Sequence, residues 1–227
     1  GVALAWATEA LERGLISSQD TDGLSLAWGE AATYIQAVKR IVSQPTDLYA
    51  ALARGVDHAA SVYGGEEYAL AFGGNEMPGY HTGPGSHLGY LTGARHSHLD
   101  SAGYSLDQNA ARSGEPLTPQ GVAESLLAEE RWRQVLTSLP ICLFARGIYT
   151  PEVVLKALST LGIEWTTEDL ERLGRETLFN KQAYKIREGF TFEQLRLPRR
   201  IFETPAPAGT FDEAFMRQTI EHYANNL

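Results

Sequence analysis

The sequence predicts an all-α fold: irregularly arranged helices with one long loop region rich in glycine and histidine. Three observations carry this expectation. Apolar residues recur at helical spacing over most of the chain. Two Thr-Pro pairs place a capping threonine ahead of a proline that suits the first helical position. Between Ala71 and Glu115, glycines, prolines and histidines interrupt any sustained period.

Taken in order, Val2 to Leu15 reads as a helix stopped at Gly14, with Leu4, Leu11 and Leu15 at helical spacing. From Gly29 to Ser43, the residues Tyr34, Ile35, Val38, Ile41 and Val42 trace an apolar stripe. Thr46 to Tyr63 reads as one helix, opening at a Thr-Asp cap and ending at Gly64-Gly65. Tyr68 to Phe72 is a weak strand candidate, and 71–115 is expected to be irregular, the kind of long loop that carries function. Helices follow at Thr118-Pro119 and Thr150-Pro151. A final helix opens with Thr210-Phe-Asp-Glu213, a capping-box pattern, and runs to about Asn225.

The chain has 227 residues, 43% apolar and 21% charged, an ordinary globular balance with enough length for a buried core. Its net charge of −9, without a basic stripe, argues against binding nucleic acid. No apolar run is long enough to cross a membrane. The single cysteine, Cys142, excludes an internal disulfide framework and suits a reducing compartment such as the cytoplasm. The opening GVALAWATEA has neither an initiator methionine nor the layout of a signal peptide. It reads as the middle of an amphipathic pattern, as in a segment of something longer.

Four of the six histidines, His81, His87, His96 and His98, fall within eighteen residues. Were Gly93 to Asp100 extended, His96 and His98 would project to one side. They could then bind a metal with Asp100 or Glu76, although the spacing matches no common zinc pattern. One of them could equally act as a proton donor or acceptor, or merely hydrogen-bond a glycine-rich loop. Cys142, in LPICLFARG, reads as a small buried hydrophobe unless the fold supplies a base. Gly64-Gly-Glu66 and Gly83-Pro-Gly-Ser86 lack the spacing of nucleotide-binding loops.

Four stretches, in order from Glu9 to Pro205, carry a resemblance to a known family. They are EALERGLI with DTDGLSLAWGEA, then DLYAALARGVDHAASVYGG, then GGNEMPGYHTGPGSHLGYLTGARHSHLD, and finally LFNKQAYKIREGFTFEQLRLPRRIFETP. Together the chain resembles the carboxy-terminal, helical half of the tungsten-dependent aldehyde:ferredoxin oxidoreductases. The resemblance implies that residues 1–66 close the family's second domain and 67–227 form its third. It implies a tungsten or molybdenum bis-pterin and a 4Fe-4S cluster in the intact protein, with none held by this portion alone. Cys142 matches the fourth cluster ligand, and the other three have no counterpart here. His98 matches the histidine facing the substrate cavity, with His96 in reserve. Where the family has D-x-x-G-L-C, with its aspartate on the pterin, this chain reads Thr137-Ser-Leu-Pro140-Ile141-Cys142. Threonine cannot supply a carboxylate there.

The implied activity is oxidation of a small aldehyde to its carboxylic acid, with electrons passing through the cluster to a ferredoxin-like carrier. The portion alone is expected to be inactive. The implied partners are the amino-terminal pterin-binding domain and, for a homo-oligomer, a second copy. Two alternatives stand beside this reading: an aryl-CoA reductase-type subunit of the same family, and a non-catalytic helical scaffold.

Overall fold

The computed structural model describes residues 1–139 and 141–227. They form two compact units, one of 1–80 with 195–205 and the other of 81–194 with 206–227. The all-α expectation holds, apart from one two-stranded hairpin among the described residues.

The first unit opens with α1 (Val2–Glu12), which buries Trp6, Ala7 and Ala10, and the chain turns away at Gly14 with φ +71°. Helix α2 (Ala31–Ser43) ends at Gln44 in the left-handed region. Its apolar stripe is only partly buried. Tyr34 and Ile41 pack on the core, whereas Ile35, Val38 and Val42 are exposed. The single helix expected over Thr46–Tyr63 is two, α3 (Asp47–Leu52) and α4 (Val56–Tyr63). Gly55 separates them at φ +100°, a backbone state that favours glycine and ends a helix. Their inner faces bury Leu48, Tyr49, Leu52, Val56, Ala59 and Ala60 around Trp6. Strands β1 (Ala71–Phe72) and β2 (Asn75–Glu76) pair antiparallel across Gly73-Gly74, both at positive φ.

The second unit corrects the expectation of an irregular 71–115. Most of that stretch is helical: α5 (Pro84–Thr92), α6 (His98–Ser101) and α7 (Gly103–Ser113). Every residue of α5 is buried, so it shows no amphipathic period for the sequence to reveal. Its glycines serve close packing. A Cβ on Gly103 would stand 2.0 Å from the Gly85 carbonyl oxygen, and one on Gly89 2.4 Å from Ser101 Oγ.

Helix α8 (Pro119–Ser138) follows its Thr118 cap, whose hydroxyl accepts from Gly121 N at 3.1 Å. Helix α9 (Pro151–Ser159) follows Thr150 in the same way. Helix α10 (Thr167–Arg187) is the longest, opened by a capping box of Thr166 and Asp169. Helix α11 (Arg200–Glu203) lies in the 195–205 segment of the first unit. Helix α12 (Glu213–Asn225) is capped by Asp212, which accepts from Phe215 N at 2.8 Å, rather than by Thr210. Helix α8 is the axis of this unit and packs on α10 and α12. Gly174 lets α10 approach so closely that a Cβ there would lie 2.4 Å from the Arg131 carbonyl oxygen.

Candidate functional site

The functional candidates gather around α5 in the second unit. At its amino end, Asp107 on α7 accepts from Gly85 N, Ser86 N and Ser86 Oγ, each at 2.8 Å, and from Thr82 Oγ1 at 2.9 Å. One carboxylate thus satisfies the first turn's backbone donors and fixes the helix. Burial raises its pKa, against the pull of those hydrogen bonds. Beside it His81 Nδ1 meets His87 Nε2 at 2.9 Å. His87 is buried and pushed down to about 3, first by burial and then by His81. It is a neutral core imidazole at any ordinary pH.

Past the other end of α5, the chain winds around a second buried carboxylate. Asp100 Oδ2 accepts from Arg95 N at 2.9 Å and Ser97 N at 3.2 Å, while Oδ1 takes Arg95 Nε at 2.8 Å. Gly93 is needed here because a Cβ would meet Gly89 O at 2.5 Å and Asp100 Oδ2 at 2.8 Å. His96 sits at φ +52° and His98 opens α6. The two therefore do not alternate as in a strand, which corrects the extended geometry expected for this loop. The nine residues of α5 span roughly 13 Å. His81 and His87 meet on the amino-terminal side of α5, and His96 and His98 follow its carboxy end.

His96 is the better defined of the second pair. Its Nδ1 lies 2.8 Å from the Tyr90 carbonyl oxygen. A carbonyl only accepts, so Nδ1 carries the proton and neutral His96 has Nε2 as an acceptor. Burial lowers its pKa, and the nearby Lys185 ammonium lowers it further. His98 is also lowered, by burial and then by Arg133. Arg133 reaches from α8 to donate to Leu99 O at 2.6 Å.

Helix α10 closes the carboxy end of α5. Gln182 Nε2 donates to Thr92 O at 2.7 Å and Lys185 Nζ to Gly93 O at 3.0 Å, pairing terminal carbonyls that a helix leaves open. Lys185 also lies 3.9 Å over the Phe190 ring, which is 5.7 Å from the His96 ring. Burial brings the Lys185 pKa down to about 8. Beneath, fully buried Glu130 accepts from the Tyr223 hydroxyl and is raised by burial to about 7.

The cysteine turn connects to this loop through two side chains. Cys142 is exposed and begins a short turn at Leu143–Ala145. Arg146 donates to Leu143 O at 3.0 Å and to the Tyr104 hydroxyl at 3.3 Å. The Tyr104 ring is 6.5 Å from that of His98. The turn contradicts the reading of Cys142 as a buried hydrophobe. Thr137 lies in the last turn of α8, its hydroxyl donating to Arg133 O at 2.8 Å. Ile141 is half-buried, and Pro140 lies outside the described residues. Glu76 accepts from Val56 N at 3.1 Å, at the start of α4. Among the described residues no three His, Cys, Asp or Glu side chains are grouped so as to hold a metal ion. A metal site built from His96, His98 and Asp100 or Glu76 is therefore absent.

A family model described as "Aldehyde ferredoxin oxidoreductase, domains 2 & 3" matches residues 1–225. The chain belongs to the aldehyde ferredoxin oxidoreductase family. A tungsten-containing aldehyde ferredoxin oxidoreductase of Pyrococcus abyssi is 25% identical over 223 residues, 92% of this chain and 36% of that protein. The chain thus spans about a third of this curated relative's length.

Within this aldehyde ferredoxin oxidoreductase portion, several supporting residues escaped the sequence reading. Lys185 and Gln182 lie on α10, whose Thr166-x-x-Asp169 start was a legible signal. Arg133, Tyr104 and Arg146 had none, since only the fold brings them to the loop.

Proposed function

We propose that the protein to which this chain belongs oxidises a small aldehyde to its carboxylic acid. The metal would be tungsten or molybdenum held by two pterins, and it supplies two-electron oxidation when bound. Electrons would leave singly through a 4Fe-4S cluster to a ferredoxin-like carrier. Family membership supports the reading, and one observation carries it to these residues: the histidine loop and the cysteine turn are joined through Tyr104 and Arg146.

The residues of this chain act as holders and proton handlers. His98 is the first candidate for moving a proton at the substrate oxygen, and His96, with Nε2 available, is the second. Cys142 offers one exposed thiol. One thiolate does not retain a cubane, so the other ligands belong to other parts of the protein and this portion alone is inactive. Thr137 and Ile141 stand where pterin contacts are expected. The division near residue 66 into second and third domains, an amino-terminal pterin domain as partner, a homo-oligomer and a cytoplasmic location complete the proposal.

The hydroxyl at position 137, already committed to its own helix, favours a second reading in which the scaffold is kept and the chemistry differs. Metal analysis of anaerobically purified full-length protein, with aldehyde-dependent reduction of a viologen dye, tests both. Tungsten or molybdenum with iron and turnover supports the oxidation, and absence of all three metals ends it. Turnover of aryl thioesters but not aldehydes moves the assignment to a reductase.

A further inference from the structure

A hollow of about 510 Å³ lies between the histidine loop and α10. The loop contributes Ala94 and Arg95, and one face of α10 contributes Asn180, Lys181, Tyr184 and Lys185. In a chain of net charge −9, its lining holds three cationic side chains and no carboxylate.

The partners of these cations are unequal. Arg95 is paired with Asp100. The two lysines donate only to neutral oxygens: Lys181 Nζ to Gln134 Oε1 at 2.5 Å, and Lys185 Nζ to Gly93 O at 3.0 Å. Neither touches a carboxylate, although Glu130 and Asp100 act on both at longer range. Lys185 is half-buried, whereas Lys181 and Arg95 are exposed. An ammonium held partly out of water without a contacting counter-charge is costly, and an anion beside Lys185 would offset that cost. Tyr184 and the lysine stems add apolar surface beside the charge. That apolar surface adds contacts for an organic body that bare phosphate cannot use.

We propose that this hollow is a binding site for a small organic carboxylate, its head between Lys181, Lys185 and Arg95 and its body against Tyr184. The depressed pKa of both lysines, caused chiefly by burial, fits a site that awaits an anion. The site borders the loop that carries His96 but does not rest on the proposed oxidation, and its test requires neither redox centre nor turnover.

The test is an NMR titration of the purified protein with sodium benzoate, compared with inorganic phosphate at matched ionic strength. Benzoate should saturate a single site and shift the Ala94 and Lys185 amide signals. Lys181→Gln and Tyr184→Ala should each weaken binding, Lys181→Gln by about tenfold, while Lys181→Arg retains it. Far-UV circular dichroism checks that each variant keeps its helices. The proposal is overturned if benzoate does not saturate, if phosphate binds as tightly, or if Lys181→Gln binds benzoate like the wild type.

Discussion

Glu130 shows how burial can make a side chain sensitive to pH. Its carboxyl is held to about 7 in the folded protein against 4.5 for an ordinary one. That difference corresponds to about 3 kcal/mol. The folded state keeps the proton that the unfolded chain has released. Its stabilisation is therefore complete below 4.5 and is lost as pH rises through about 7. Glu130→Gln still accepts from Tyr223 but cannot ionise. Urea unfolding should show that its stability falls less than the wild type's between about pH 5 and about pH 8. An equal fall in both proteins would refute this account. At His96 the prediction concerns charge: removing the Lys185 ammonium with Lys185→Met should raise the imidazole's titration midpoint, and Lys185→Arg should leave it low. Histidine ring NMR reads both, and the same spectra should show the Nδ1-protonated tautomer.

At the scale of elements, glycine has a different meaning from the one its composition suggests. Gly85, Gly89, Gly93 and Gly103 made residues 71–115 look loop-like, yet they are the points at which α5 and its neighbours meet. Gly103→Ala should cost about 1–3 kcal/mol, because its Cβ would strike a backbone oxygen that cannot move aside. Gly147→Ala, in open space without positive φ, is the control and should stay near zero. If both variants unfold at the wild-type urea midpoint, the close packing of α5 and α7 has no energetic weight. The capped helices α8 and α9 were legible in the sequence because Thr118-Pro119 and Thr150-Pro151 announce themselves locally. Helix α5 was not, because complete burial erases periodicity. The α3–α4 break was missed although Gly55 was in view, since a lone glycine in a helical pattern is often tolerated.

For the whole chain, two buried groups oppose one another. His87 resists protonation down to about 3, whereas an unfolded imidazole takes its proton near 6.5. Its contribution is complete above 6.5 and is lost as pH falls towards about 3. Glu130 penalises the alkaline side, so unfolding free energy should pass through a broad maximum. His87→Gln should flatten its acid limb, whatever the variant's overall stability; an unchanged acid slope would exclude His87 as the cause. The family resemblance was readable from linear motifs. The clamp of Gln182 and Lys185 on α5 was not, because it joins positions about ninety residues apart. The same distance problem governs the first unit, which is discontinuous in the chain. Arg196 donates to the carbonyls of Glu66, Ala69 and Ala71 and pairs with Asp57. During synthesis this anchor emerges more than a hundred residues after its partners, so the ribosome has delivered nearly all of the second unit before the first can be finished. Expression truncated after Gln194 should leave that early-made half prone to proteases.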